Sequence, residues 1–266
     1  MLERFRRAKA AEIAALEALA ARGALPPPFA GPRPAFVKTL KARHFDPLPV
    51  IAEYKRASPS LGDINLGAMP EEVAAAYAGA GAGAISVLTE SVYFKGDIAY
   101  LARMAGPGLP LLRKDFIFHP LQVEQSAATP ACAVLLIARM LTGPALRELV
   151  RRCADFALTA VTEVFDEEDL RRARAADASV IQVNNRDLET LRVDTTLSHR
   201  LIAGKTGEEF WIMASGIRER NDLDVAAASG FDAALVGTSL MRGGEPGEAL
   251  AVLLQKDVGK SGRSHA

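Results

Sequence analysis

The chain has 266 residues, of which 49% are hydrophobic, and its 32 basic and 32 acidic side chains cancel to a formal charge of zero. This length suits a single large domain, and the charge balance argues against nucleic acid as a partner. No stretch approaches the ~20 consecutive apolar residues that a membrane-spanning helix requires, so we expect no membrane association.

The first 48 residues predict a helical extension that packs on the main domain. Residues 2–22 carry apolar side chains near helical spacing, Gly23 can end that helix, and a proline-rich connector leads to a second short helix at 35–42. Residues 49–256 predict the catalytic domain, and residues 257–266 a frayed polar tail. We expect a single domain overall.

Eight short apolar runs follow the extension, each bounded by polar or turn-forming residues. They recur roughly every 20 to 35 residues, the span of one strand and one helix, which predicts a (β/α)8 TIM barrel. The runs cover residues 49–55, 84–89, 110–115, 133–138, 157–163, 180–184, 210–215 and 233–238. Helical patterns between them cover residues 71–78, 98–104, 121–128, 144–154, 167–175, 195–203, 219–228 and 246–254.

Local signals support these boundaries. Thr142 and Asp166 stand where a side chain caps the start of a helix. The glycines at 79–83 precede a strand, whereas a dinucleotide-binding loop must follow one, so we interpret them as a helix stop. Cys132 and Cys153 are too few for a disulfide framework and predict reduced thiols in a cytoplasmic protein. The four histidines lack the spacing of metal ligands, so no metal site is predicted.

Charged side chains lie at the end of the first predicted strand. The carboxyl ends of barrel strands open onto one mouth, so residues far apart in sequence share a pocket. Glu53 and Lys55 project from the same face, and Ser58 follows in a long loop. We interpret them as substrate contacts, with Lys55 holding an anionic group. The alternative is a buried ion pair that only stabilises the end of the barrel.

A second pair comes from the third and fifth strands. Lys114 can protonate a carbonyl oxygen, and the nearby charge of Lys55 together with partial burial is expected to lower its pKa. Glu163 lies where a carboxylate needs a partner, for which Lys114 is the obvious choice. The pair predicts a general acid and a general base, and a solvated strand end is the alternative for Lys114.

Polar residues also close the last three strands. Asn184 can bind substrate hydroxyls through both its donor and its acceptor, and Arg186 is expected to brace the wall by pairing with Glu163 or Asp187. Glycines and hydroxyls follow the seventh and eighth strands, where phosphate binding recurs in this fold. These predicted phosphate contacts are Ser215, Gly216, Gly237 and Thr238. Ordinary barrel turns are the alternative.

Taken together, these segments resemble the indole-3-glycerol phosphate synthase family of tryptophan biosynthesis. The matching stretches are residues 51–60, 85–90, 112–117, 134–138, 162–164, 183–188, 215–217 and 236–241. The helical extension before the barrel is also similar to that of the family. The combination is specific, although no single stretch would be.

The resemblance implies ring closure of 1-(2-carboxyphenylamino)-1-deoxyribulose 5-phosphate with loss of CO₂ and water. It implies that Lys114 is the general acid, Glu163 the general base and Lys55 the contact to the anthranilate carboxylate, while Glu53 and Asn184 handle hydroxyls. It also implies an aromatic-ring wall of Phe94, Phe116, Leu136 and Leu188. No metal or organic cofactor is implied, and association with other tryptophan-pathway enzymes is left open.

The sequence departs from the family pattern at three positions. Ala214 stands where the family usually has Glu, Gln182 where it has Gly, and Asp97 follows Gly96 where Ser or Ala is usual. The first two changes lie on adjacent strands. We therefore predict that Gln182 fills the volume vacated beside Ala214, with unrelated changes at two tolerant sites as the alternative.

Two other functions compete with this interpretation. A phosphoribosylanthranilate isomerase would use the same phosphate contacts, but that family leads us to expect Cys and Asp where Glu53 and Glu163 stand. A degenerate barrel that only binds a phosphorylated ligand or a protein would be favoured by loss of Lys114 or Glu163, and both are present.

Overall fold

The computed structural model describes residues 2–187, 190–242 and 244–255, and eight parallel strands form a closed barrel within them. Strands neighbouring in sequence pair side by side, and β1 closes the ring against β8. The strands are β1 Val50–Tyr54, β2 Ala84–Leu88, β3 Leu111–Lys114, β4 Ala133–Ile137, β5 Thr159–Val164, β6 Val180–Asn184, β7 Phe210–Ala214 and β8 Ala233–Val236. The predicted (β/α)8 barrel is confirmed.

Apart from the short helix Thr238–Met241, helices occupy the positions that the apolar periodicity predicts, within one or two residues. They are α1 Leu2–Ala21, α2 Phe36–Ala42, α3 Pro70–Ala80, α4 Ala99–Arg103, α5 Pro120–Ala127, α6 Gly143–Asp155, α7 Glu167–Ala175, α8 Thr196–Ile202, α9 Arg220–Ala228, α10 Thr238–Met241 and α11 Pro246–Leu253. The side chains of Thr142 and Asp166 cap α6 and α7 as predicted. Gly81 ends α3 in the left-handed conformation, which explains the glycines before β2.

Strand residues alternate between the barrel interior and the layer beneath the helices. In β4, Ala133, Leu135 and Ile137 join the interior cluster, whereas Val134 and Leu136 join the cluster that packs against the helices. This alternation follows from the two-residue repeat of an extended chain. It decides which side chain of each strand can reach the mouth.

Helix α1 is joined to the barrel by a buried polar network beside the end of β3. Lys9 lies 2.6 Å from an Asp115 carboxylate oxygen, and both residues are almost fully buried. Arg113 contacts Glu12 of the helix at 3.3 Å and Asp115 at 3.0 Å. These three ion pairs involve the residues on either side of Lys114, so the docking of α1 bears on the position of that residue.

Several sequence-based expectations concern features outside the catalytic residues. Cys132 and Cys153 are buried free thiols, as expected of reduced structural cysteines. No helix in the described part of the chain is both long and apolar enough to cross a bilayer. The frayed tail predicted for residues 257–266 lies outside the described residues.

Candidate active site

A cavity of about 750 Å³ opens at the carboxyl ends of the barrel strands. The structure brings most of the predicted site residues together there, although they come from all parts of the chain. Those lining the cavity are Glu53, Lys55, Ser58, Phe94, Lys114, Phe116, Glu163, Asn184, Arg186, Ser215, Gly216, Gly237 and Thr238.

Two predicted wall residues are not among them. Leu136 is fully buried but faces the helix layer, because its neighbours Leu135 and Ile137 occupy the interior positions of β4. The prediction therefore chose the wrong face of the strand, and Leu135 and Ile137 line the cavity instead. Leu188 lies outside the described residues.

Glu53 lies between two lysines at the base of the mouth. One carboxylate oxygen is 2.8 Å from Lys55 Nζ, and the other is 3.7 Å from Lys114 Nζ. Burial alone would raise the pKa of Glu53, but the charges of Lys55 and Lys114 outweigh it and hold that pKa below its ordinary value. Glu53 is therefore an ionised counter-ion for both cations.

The pKa of Lys114 shifts opposite to the direction expected from the sequence. Burial works to lower it, yet the carboxylates of Glu53 and Glu163 more than compensate and raise the pKa above its ordinary value. The expectation that Lys55 would lower it is wrong because Glu53 stands against both ammonium groups. Lys114 is therefore held protonated, the state in which it can donate a proton.

Glu163 is almost completely buried, and burial raises its pKa above the ordinary value. The charge of Lys114 and the side-chain amides of Asn184 and Gln182 act in the opposite direction, while Glu53 adds to the increase. Gln182 Nε2 lies 2.5 Å from Glu163 Oε2. The carboxyl group thus gains or loses its proton at a higher pH than an exposed glutamate would.

Asn184 is tied to the end of the neighbouring strand. Its Oδ1 accepts hydrogen bonds from the Ser215 hydroxyl at 2.8 Å and from the Arg186 backbone N–H at 3.0 Å. The Arg186 guanidinium donates to the Leu191 carbonyl at 2.9 Å, which braces the loop that follows β6. Asn184 therefore reaches the cavity with its acceptor already engaged.

Two glycines shape the part of the mouth that follows β7 and β8. A Cβ at Gly216, whose φ is +92°, would stand 2.7 Å from Thr195 Cγ2, and one at Gly237 would stand 2.3 Å from Glu53 Oε1. Because contacts under 3.0 Å force a neighbour to move, a side chain at Gly216 would displace Thr195, and one at Gly237 would displace the Glu53 carboxylate. Arg218 also lines the cavity here, so cationic charge faces the glycine turns.

Sequence analysis missed wall residues that only the tertiary structure brings near. Phe5 of α1 lines the cavity and stacks on Phe116, with ring centroids 4.0 Å apart at an angle of 18°. Leu235 of β8 contributes to the floor, and Arg242 to the rim. The strand alternation would have identified Leu235, but no local pattern indicates that the first helix returns to the mouth.

The departures from the family pattern have distinct surroundings. Ala214 pairs laterally with Asn184, whereas Gln182 pairs with Ile212 and Glu163. Gln182 directs its amide to Glu163 on β5, on the side away from β7. The amide of Gln182 is therefore directed to Glu163 and not toward Ala214, beside which the sequence predicts it. Asp97 accepts a hydrogen bond from the Ala99 N–H at the start of α4, which gives it a local structural role.

The comparisons with known proteins agree with this geometry. A family model described as indole-3-glycerol phosphate synthase matches residues 2–253, from the first helix to the last. The chain belongs to this family. An indole-3-glycerol phosphate synthase of Desulfosudis oleivorans is 45% identical over 195 residues, 73% of this chain and 74% of the relative. That of Mycobacterium ulcerans is 40% identical over 252 residues, 92% of this chain and 90% of the relative, so the similarity includes the helical extension.

Solved structures resemble this member of the indole-3-glycerol phosphate synthase family in fold alone. A 3-hexulose-6-phosphate synthase superposes with a TM-score of 0.61 at 15% identity, covering 78% of this chain and 99% of that one. A mandelate oxidase variant gives 0.60 at 20% identity, covering 79% and 72%. Identities this low carry information about the barrel but not about its chemistry.

Proposed function

We propose that this cavity closes the ring of 1-(2-carboxyphenylamino)-1-deoxyribulose 5-phosphate, with loss of CO₂ and water, as an indole-3-glycerol phosphate synthase. The observation that carries the proposal is the placement of Lys114 and Glu163 in one cavity, with Glu53 next to the lysine. An acid and a base of opposite charge, held on rigid strands, are what a ring closure followed by dehydration requires.

Lys114 acts as the general acid in this proposal. Its protonated state is favoured by Glu53 and Glu163, so it can donate a proton to the ribulose carbonyl oxygen as the aromatic carbon attacks. The distance of 3.7 Å to Glu53 leaves the ammonium without a tight partner. A substrate oxygen can therefore accept its proton without first displacing a short ion pair.

Glu163 acts as the general base in the later loss of water. A base must exchange its proton during turnover, and burial raises the pKa of Glu163, which makes its carboxylate a stronger base than that of an exposed glutamate. Lys114 faces the same carboxyl group and supplies a compensating charge when it is ionised. The two residues therefore support each other's charged states.

The remaining contacts orient the substrate along the mouth. Lys55 binds the anthranilate carboxylate as a point charge next to Glu53, and Asn184 contacts a hydroxyl. Phe94 and Phe116 contact the aromatic ring, and Arg186 and Ser58 close the remaining wall. The glycine turns after β7 and β8 receive the phosphate at the opposite side.

Inorganic phosphate is expected to compete with substrate for the contacts at Ser215, Gly216, Gly237 and Thr238. Thr238 offers a hydroxyl donor, the four residues offer backbone N–H donors, and the missing Cβ atoms of the glycines let an anion approach closely. Steady-state kinetics at increasing phosphate should show KM rising while kcat stays constant. Absence of competition at every phosphate concentration would place the phosphate group elsewhere.

Turnover is expected to be insensitive to metal chelators. Among the residues that the structure describes, no group of three or more His, Cys, Asp or Glu side chains could hold a metal ion. The proposed steps use only side-chain protons and charges. Fluorescence of the indole product, recorded before and after dialysis against EDTA, measures this. Loss of turnover with EDTA and recovery with a divalent ion would contradict the mechanism.

The same fluorescence assay separates the competing functions. An isomerase acting on phosphoribosylanthranilate forms no indole ring, and a barrel that only binds a ligand forms no product at all. Location in the cytoplasm and association with other tryptophan-pathway enzymes stay predictions.

A further inference from the structure

Gln182 is a buried polar side chain that the proposed roles leave unused. It lies on β6, one interior position before Asn184, and is completely shielded from solvent. Its Nε2 donates to Glu163 Oε2 at 2.5 Å, while its Oε1 has no hydrogen-bond partner within the described part of the chain. A buried oxygen without a partner costs free energy, so packing alone does not explain a carboxamide here.

A carboxamide has a property that suits a neighbour whose charge changes. Its nitrogen donates and its oxygen accepts, and a half-turn about the last side-chain bond exchanges the two. An ionised carboxylate only accepts hydrogen bonds, whereas a protonated carboxyl group also donates one. The observed orientation of Gln182 serves ionised Glu163, and the half-turn would serve protonated Glu163.

The surroundings of Gln182 do not oppose such a half-turn. In the observed orientation Oε1 lacks a partner, so no second hydrogen bond locks the amide in place. The half-turn would put Nε2 in that same unpartnered position. Each orientation therefore makes one hydrogen bond to Glu163, and the protonation of Glu163 decides which is preferred.

We infer that Gln182 is a positioning residue for Glu163, which keeps Oε2 in place in both protonation states by rotating its carboxamide. The inference rests on the proposed role of Glu163 as a base. Because the family usually has Gly at position 182, this role is specific to chains that carry Gln there. Gln182 does not line the cavity, so it acts on the substrate only through Glu163.

The sign of its effect on pH dependence follows from the groups around Glu163. Lys114 faces it from β3 and favours the ionised form, Glu53 opposes that form from β1, and Asn184 and Gln182 favour it from β6. A general base works when ionised, so kcat/KM rises with pH through the pKa of Glu163. Loss of the amide removes a strong hydrogen bond from the ionised form but only a weaker, neutral one from the protonated form, so this rise moves to higher pH.

The test is the pH profile of kcat/KM for Gln182→Met, which keeps the length of the side chain but neither donates nor accepts as an amide does. The acidic limb is expected about one pH unit higher than in the unchanged protein, the difference between a hydrogen bond to a charged group and one to a neutral group. At pH values below the limb, kcat/KM of Gln182→Met is expected to be about tenfold lower than that of the unchanged protein. At pH values above the limb, the two proteins are expected to be equally active. KM changes little because Gln182 does not line the cavity.

Ile212→Val is the matched control. Ile212 pairs with Gln182 on the adjacent strand, so removing one methylene disturbs the same layer without removing a donor to Glu163. This variant is expected to keep the position of the limb. A loss of activity that is equal at every pH and alike in both variants would show that Gln182 only fills space, and would overturn the inference.

Gln182→Glu provides a second measurement if Gln182→Met fails to fold. It has nearly the same shape and puts a second carboxyl group against Glu163, so one proton is shared and the limb moves to higher pH. An unchanged limb overturns the inference. Glu163→Gln distinguishes failure of the proposed role of Glu163 from failure of the inference about Gln182. If it stays active, the proposed role of Glu163 fails, whereas an inactive Glu163→Gln beside an unshifted Gln182 variant defeats only the inference.

Discussion

Replacing Lys114 with alanine is expected to lower kcat by about 10²-fold or more, the low end for losing a general acid. The ammonium of Lys114 is held protonated by Glu53 and Glu163. Water in the vacated space would be a far weaker acid. Glu163→Gln should lower kcat to a similar degree because a carboxamide cannot accept the proton.

A binding measurement shows whether Lys114→Ala has lost only the proton donor or the binding site as a whole. Lys55, Arg186 and the glycine turns still line the cavity in the Lys114→Ala protein, so product inhibition should stay near its normal value. Lys95→Ala is the matched control, because Lys95 pairs with exposed Asp63 outside the cavity. Near-normal turnover of Lys114→Ala would exclude the role assigned to Lys114.

Replacing Gly237 with alanine is expected to lower kcat/KM by about 10²-fold, the cost of displacing a catalytic group by about an ångström. The added Cβ would stand 2.3 Å from Glu53 Oε1 and 3.1 Å from Glu53 Cβ. Glu53 must therefore shift as a whole, and Lys55 and Lys114 lose the position of their shared counter-ion.

Gly244→Ala is the control for this substitution. It lies a few residues further on, and nothing stands within 4 Å of its added Cβ, so activity should be unchanged. Comparison of kcat with KM distinguishes two outcomes in Gly237→Ala. A fall in kcat follows from the shift of Glu53, whereas a rise in KM alone would restrict Gly237 to phosphate binding.

Much of the fold follows from local patterns. The residues predicted for the sixth strand coincide with β6 at Val180–Asn184, and the caps Thr142 and Asp166 lie where the helices begin. Alternation and capping act over a few residues, so a single sequence displays them. The convergence of Lys114 and Glu163 follows from the barrel, because its geometry unites the ends of all strands.

The parts that could not be predicted depend on distances between elements. Leu136 was placed on the wrong face by a shift of one residue, which reverses every side chain of a strand. The pKa of Lys114 depends on the carboxylates of Glu53 and Glu163 that the barrel brings near it, and the partner of Gln182 depends on which neighbouring strand its amide reaches. Phe5 reaches the mouth only because α1 docks there.

The ion pairs beside Lys114 also mean that α1 can dock only after β3 has been synthesised. Glu12 and Arg113 are 101 positions apart, so a ribosome makes the first helix long before it makes the strand that receives it. Until then Lys9 and Phe5 have no site to fill. Product formation by a variant without residues 2–21 would consequently report whether the barrel needs α1, since without that helix Asp115 loses the cation of Lys9.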